Sequence, residues 1–167
     1  MKSIKIEIPQ GYQIDEEKST FTNIVFKPIE KKWVDLGLLS GTLWCDTNEE
    51  DYYSWDEMMN TFDEENLPKL TDFAELYDYC SWKWDDEKKG MWIIGPNTNS
   101  IFMPALGYIS SCDYSFNYVG NRGYYWSASP DKLYAYYLCF DIKGGAKPAS
   151  NDDRERSCTV RCIKRTK

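Results

Sequence analysis

Three observations make this chain read as a single α+β domain built on antiparallel sheet. Two adjacent stretches, residues 54–62 and 71–80, carry helical spacing. Stretches of strand alternation lie before and after them, an order that disagrees with alternating βαβ units and a parallel sheet. The length of 167 residues suits one domain, and such a domain buries roughly two-thirds of the surface its unfolded chain exposes. A core of that size needs neither metal nor disulfide staples.

Residues 1–32 read as a β-hairpin-like N-terminal extension, and residues 33–167 as the main domain. In the extension Ile4, Ile6 and Ile8 alternate with Lys5 and Glu7, and Ile24-Val-Phe26 follows a polar connection. The main domain opens with Trp33-Val-Asp-Leu-Gly-Leu-Leu-Ser-Gly-Thr-Leu-Trp44, in which Gly37 and Gly41 bracket a turn between two short strands. Trp55, Met58, Met59 and Phe62 then recur at i, i+3, i+4 and i+7 behind a Ser54/Glu57 capping box, which predicts a short helix with one buried face. Phe73, Leu76, Tyr77 and Cys80 repeat the spacing, with Thr71 as the expected N-cap of a second helix.

From Ser81 the period changes. Trp82 and Trp84 alternate with Lys83 and Asp85, Glu87-Lys-Lys-Gly90 turns the chain, Met91-Trp-Ile-Ile94 returns, and Gly95-Pro-Asn97 turns it again into Ile101-Phe-Met-Pro104. The last third offers three more strands, Tyr124-Tyr-Trp-Ser127, Tyr134-Ala-Tyr-Tyr-Leu-Cys-Phe140 and Thr159-Val-Arg-Cys-Ile163, expected to lie side by side. Residues 150–156 are expected to form a charged loop between the second and third of them.

Composition excludes several functions. The formal charge is −7, from 20 Lys+Arg against 27 Asp+Glu, which argues against nucleic acid and against an anionic membrane surface. The chain has no His, so Ser-His and Cys-His catalysis, His metal sites and His-based pH switching are removed together. Six cysteines lie scattered rather than in metal-ligand spacing, and read as buried free thiols. Four residues of strand put Cys158 and Cys162 roughly 13 Å apart, too far for a mutual disulfide. The N-terminal residues contain no apolar run of signal-peptide length, and no later stretch is long and apolar enough to span a bilayer. The expected location is therefore cytoplasmic or virion-associated rather than secreted. No cofactor and no metal are expected.

Four phrases, in consistent order over residues 33–164, resemble a known family. They are the Trp33–Trp44 phrase above, Gly95-Pro-Asn-Thr-Asn-Ser-Ile-Phe-Met-Pro-Ala-Leu-Gly-Tyr108, Gly123-Tyr-Tyr-Trp-Ser-Ala-Ser-Pro130 and Ser157-Cys-Thr-Val-Arg-Cys-Ile163. They are similar to the Fibrobacter succinogenes major paralogous domain and the related variable proteins of diversity-generating retroelements. The resemblance implies a C-type-lectin-like, or formylglycine-generating-enzyme-like, fold with two helices packed on twisted antiparallel sheets. It also implies a phage or gut-bacterial setting and ligand binding through the C-terminal strands and loops. In diversified members adenine-directed mutagenesis rewrites the last stretch, which here corresponds to residues 134–156. The chain departs from the pattern in lacking an export leader. It also lacks the Glu-Pro-Asn, Gln-Pro-Asp and Trp-Asn-Asp triplets of calcium-dependent lectins, so calcium-bridged sugar binding is not expected.

The expected function is non-enzymatic binding of a protein or carbohydrate ligand, with Trp126, Asp131, Lys132, Tyr134, Tyr137, Asp152, Asp153, Glu155 and Arg156 as the binding residues. Tyrosine suits such a surface because a large ring with a hydroxyl gives area and a hydrogen bond at low entropic cost. Asp152, Asp153, Glu155 and Arg156 supply polar groups at its rim, with Asp131 and Lys132 on the preceding loop. The tryptophans read mainly as core, with Trp126 kept in the binding set as a ring on which sugar could stack. Two alternatives stay open: a thiol-dependent enzyme using Cys139, Cys158 or Cys162, as in formylglycine-generating relatives, and a structural subunit, a homo-oligomer whose residues 1–32 add a strand to a neighbour.

Overall fold

The chain divides into two compact units, Met1–Lys31 and Lys32–Lys167, where the sequence places the boundary one residue later. The structure, a computed structural model, describes residues 6–9, 12–49 and 51–166.

In the first unit β1 (Tyr12–Ile14) pairs antiparallel with β2 (Phe26–Pro28), Gln13 opposite Lys27. The connecting loop fixes this register. Asp15 N–H donates to the Val25 carbonyl, and the Ser19 hydroxyl both accepts from Val25 N–H and donates to its carbonyl. The expected first strand is corrected: Ile6 and Ile8 are exposed and belong to no strand, and Ile4 and Lys5 lie outside the described residues. Alternation alone does not supply a partner, and Pro9, which has no N–H, interrupts the run before β1.

The second unit is mixed helix and sheet, with strands predominating over two helices. β3 (Trp33–Asp35) and β4 (Leu43–Cys45) form the expected pair around a turn in which Gly37 and Gly41 take φ +72 and +70. Two asparagine amides, from Asn97 and Asn99, clamp the Asp35 carbonyl just before that turn. α1 (Trp55–Thr61) begins at Ser54 with both halves of the capping box present: the Ser54 hydroxyl accepts from Glu57 N–H, and the Glu57 carboxylate accepts from Ser54 N–H.

α2 (Leu70–Tyr79) starts one residue before the expected Thr71 cap. Its N-terminal N–H groups are satisfied from elsewhere, Lys69 N–H by the Asp72 carboxylate and Leu70 N–H by the Ser129 hydroxyl. The buried Asp72 also receives both terminal nitrogens of Arg165, at 3.0 and 2.9 Å.

β5 (Ser81–Asp85), β6 (Gly90–Ile94) and β7 (Ser100–Pro104) make the expected succession of strands and turns, an antiparallel meander with Trp82 opposite Ile93 and Trp92 opposite Phe102. β8 (Tyr108–Ile109) and β9 (Phe116–Asn117) form a small hairpin. Gly107 before it has φ +66, and a Cβ there would come within 1.9 Å of the Asn117 carbonyl oxygen, so only glycine lets the two chains approach. β10 (Arg122–Asp131), β11 (Tyr134–Asp141) and β12 (Ala146–Asp153) form the largest sheet, in the order given, and β13 (Ile163–Lys164) pairs with β4. At Gly123, opposite Phe140, a Cβ would stand 2.2 Å from the Phe140 ring.

Two expectations for this last third are corrected. Residues 146–153 are a strand, not the start of a charged loop, because they pair along β11. The Thr159–Ile163 phrase does not complete that sheet: residues 157–159 make single bridges to Ile109, Tyr53 and Tyr125, and 160–162 belong to no strand before β13 begins.

β10 separates two cores. Tyr125 points into one formed with Leu36, Trp44, Phe73, Met91 and Ile93, and Tyr124 and Trp126 point into the other with Trp55, Met58, Cys158 and Val160. Arg161 crosses between them fully buried, donating to the carbonyls of Cys45 and Phe102. Charge-assisted donation to buried carbonyls contributes about 1.5–3 kcal/mol per bond, and truncation leaves both acceptors orphaned. Arg161→Ala should lower unfolding free energy by about 3 kcal/mol or more. Urea titration would show this as a fall in midpoint at unchanged slope.

Candidate functional site

Most of the sequence-predicted residues gather at the tip of the β10–β11 hairpin. Asp131 pairs across the tip with Tyr134, Tyr134 lies opposite Asp153, and Asn151 donates its amide to the Asp131 carboxylate. Arg154 ties the tip down, Nε to the Tyr134 carbonyl at 3.1 Å and Nη2 to the Lys132 carbonyl at 2.8 Å, with its guanidinium 4.2 Å from the centre of the Trp55 ring. Lys132 holds φ +52, an arrangement that keeps its carbonyl on Arg154. The Tyr134 ring is 52% exposed and Leu133 beside it 83%. Asp152 pairs with Arg156, whose guanidinium lies 3.8 Å over the Tyr108 ring, and Asp153 caps the turn by accepting from Glu155 N–H.

Trp126 and Tyr137 do not join this surface, and their expected exposure is corrected. Trp126 is fully buried, with its indole N–H on the Tyr53 carbonyl at 2.8 Å. Tyr137 is buried against Tyr124 and edge-on to Trp126, with ring centroids 5.5 and 5.9 Å away. Alternation predicts one core face and one open face for this sheet. The second face is instead covered by α1 and by the segment carrying Cys158 and Val160, so it became a second core.

The concave surface lies next to the hairpin tip, and of the expected binding residues Glu155 alone lines it. A concavity of about 480 Å³ is lined by Asp51, Tyr52, Glu57 and Phe116 among others. A second, of about 430 Å³, is lined by Asp56, Glu57, Tyr114, Arg154 and Glu155, so the two meet at Glu57. Phe116 is 63% exposed and packs edge-on against Tyr52 with ring centroids 5.5 Å apart, and Tyr114 is 80% exposed. The Tyr52 hydroxyl donates to the Leu106 carbonyl at 2.7 Å, and burial followed by the nearby Cys158 pushes its pKa up, so that ring is held in place as a neutral phenol. The signal in the sequence was Tyr114, Phe116 and Tyr118 at every second position of a segment otherwise polar.

The electrostatics of the groove are anchored by Glu57. Hydrogen bonds from Ser54, backbone N–H first and hydroxyl second, hold its carboxyl below its ordinary value of 4.5. The bonds use Oε2, so Oε1 takes no part in the box. Among the described residues no three Cys, Asp or Glu side chains converge as metal ligands. Three thiols are held protonated: burial pushes Cys80 to about 11 and raises Cys139 and Cys158 as well. Among the described residues no helix is long and apolar enough to cross a membrane.

No family model, no curated protein and no solved structure matches the chain.

Two outcomes check this description. Ser54→Ala should lower stability by about 1 kcal/mol at neutral pH. Because the Glu57 carboxyl is lowered in the folded state, its contribution is complete above its ordinary value of 4.5 and is lost as pH falls through the lowered one. The Ser54→Ala penalty, measured by urea denaturation, should therefore shrink at acid pH. A chromogenic thiol reagent should modify the exposed Cys112 in a fast phase that Cys112→Ser removes, while Cys45, Cys158 and Cys162 react only on unfolding.

Proposed function

We propose that this chain is a ligand-binding domain that performs no chemistry on what it binds. The observation that carries the reading is the meeting of two open concavities at Glu57, with exposed aromatic rings along them and the charged hairpin tip beside them. Surfaces of this make-up suit recognition: rings give contact area at low entropic cost, and the polar rim gives specificity. The predicted residues Asp131, Lys132, Tyr134, Asp152, Asp153, Glu155 and Arg156 form that rim, and the groove residues extend it.

The raised thiols favour binding over thiol chemistry, since a nucleophilic cysteine needs a lowered pKa and these are raised by burial. The C-type-lectin-like assignment and the relation to retroelement-diversified variable proteins belong to the same proposal. They are supported by the four phrases and by a two-helix domain with small antiparallel sheets. On that reading residues 134–156 would carry the diversity, and much of that stretch is exposed at the hairpin tip and along β12.

The test is a binding screen of the full chain on peptide and glycan libraries, repeated with a rim variant (Tyr134→Ala with Asp153→Ala) and a groove variant (Tyr114→Ala with Phe116→Ala). A specific ligand weakened about thirtyfold by at least one double variant, with melting profiles unchanged, is the expected result. Ligands bound equally well by both variants would move the site elsewhere, and turnover abolished by thiol alkylation would replace binding with catalysis.

A further inference from the structure

We infer that Cys45 and Cys162 are an oxidation site, which hydrogen peroxide converts into a cross-strand disulfide that staples β4 to the C-terminal strand.

Register is the first ground. β4 and β13 pair antiparallel with Trp44 opposite Ile163 and Leu43 opposite Lys164, so one step further puts Cys45 opposite Cys162. The backbone agrees, since Cys45 N–H donates to the Cys162 carbonyl at 3.0 Å. Side chains alternate along each strand: Trp44 and Ile163 face one core, and Cys45 and Cys162 face the other together, each 1% exposed. Two flanking bonds hold the opposition, Arg161 Nη1 on the Cys45 carbonyl at 2.8 Å and Glu49 N–H on the Val160 carbonyl at 3.0 Å. Residues opposed across such a hydrogen bond have Cα atoms about 5.5 Å apart, inside the roughly 4.4–6.8 Å that a disulfide spans. Both cysteines are thiols in this structure.

The surroundings of the two sulfurs are the second ground. Cys162 Sγ–H donates to Glu49 Oε1 at 2.9 Å, and Cys45 Sγ lies 3.9 Å from the Thr47 hydroxyl. A carboxylate gives the buried sulfur a proton acceptor, which packing as a small hydrophobe does not call for. Glu49 is half-buried, Thr47 is exposed, and residues 46–49 form neither helix nor strand. The thiols therefore lie beneath one irregular loop, whose local opening admits a reagent little larger than water and keeps out a bulky one.

The chemistry balances in two steps. Cys162 gives its proton to Glu49 and its sulfur attacks one peroxide oxygen; the O–O bond breaks, a sulfenic acid forms, and the departing hydroxide leaves as water with the proton from Glu49. The Cys45 sulfur then attacks the Cys162 sulfur; the S–S bond forms, the S–O bond breaks, and the hydroxide leaves as water with the Cys45 proton. Two electrons pass from the two sulfurs to one peroxide. Opposed Cβ atoms stand about 4.5–5.5 Å apart, so closure to the roughly 3.5–4.5 Å of a bridge draws them together by about 1 Å and releases Cys162 from Glu49.

Mass spectrometry on the full chain tests this. The chain is treated with hydrogen peroxide, quenched in acid, alkylated and digested without reduction. A fragment pair joining Cys45 to Cys162 should appear, and thiol titration in urea should count two fewer thiols than before treatment. The melting temperature should rise by about 5–10 °C and return to its starting value after reduction. Glu49→Gln should slow formation of the pair about tenfold without changing its final yield. Cys45→Ala and Cys162→Ala should each remove both the pair and the shift. Should either alanine variant fold poorly, the fragment map of the parent chain decides. Oxidation confined to Cys112, a sulfinic acid at Cys162 with no link to Cys45, a link from either cysteine to Cys158, or a pair that forms only in urea overturns the inference. An unchanged rate in Glu49→Gln overturns the role given to that carboxylate.

Discussion

The structure depends on the path of residues 154–163, which hydrogen-bond in turn to α1, β8, Tyr53, β10 and β4. Arg154 accepts through its carbonyl from Trp55 N–H, Ser157 exchanges two bonds with Ile109, Cys158 two with Tyr53, and Thr159 reaches Tyr124 and Trp126. Further along, Val160 accepts from Glu49 and Cys162 from Cys45. A segment with so many partners and so few of its own strand neighbours cannot be shifted by one residue without breaking contacts on all sides. Arg161 enforces this, because a buried guanidinium tolerates only the positions in which the Cys45 and Phe102 carbonyls receive it.

That threading creates the candidate site. By covering the second face of β10 and β11 it removes Trp126 and Tyr137 from solvent, and the same residues carry Arg154 and Glu155 up to the N-terminal end of α1. The concave surface therefore forms where three chain regions converge, around residues 51–57, 109–116 and 154–157, rather than on the face of one sheet. Rigidity comes from local bonds: the Ser54/Glu57 box, the Tyr52 hydroxyl on Leu106, and Arg154 spanning hairpin tip and helix. Side chains fixed in this way lose little conformational entropy on any further contact.

Elements whose signal is local were legible. The first helix was written in four apolar positions and a two-residue box, and the 81–104 meander in alternation broken by turn residues, because both depend on contacts within a few residues. Elements completed by partners were not. β12 is composed of Ala, Lys, Pro, Ser, Asn and Asp, a poor strand by propensity, and is a strand because β11 offers it an edge. The 159–163 phrase carries good strand signal, yet Thr159 makes a single bridge, 160–162 belong to no strand and Ile163 alone joins one, in β13.

By itself the sequence determined the class of the domain, its two helices, the 81–104 meander, the absence of histidine chemistry and the acidic balance, since these follow from composition and from periodicities of two and 3.6 residues. The family resemblance, rather than periodicity, implied that Asp131 stands beside Asp152 and Glu155. Only the tertiary structure decided which tyrosines face water: Tyr137 and Tyr124 are sealed in a second core, and Tyr114 and Phe116 are left outside. Alternation tells which residues share a face of a strand, and burial depends on what another part of the chain lays across that face.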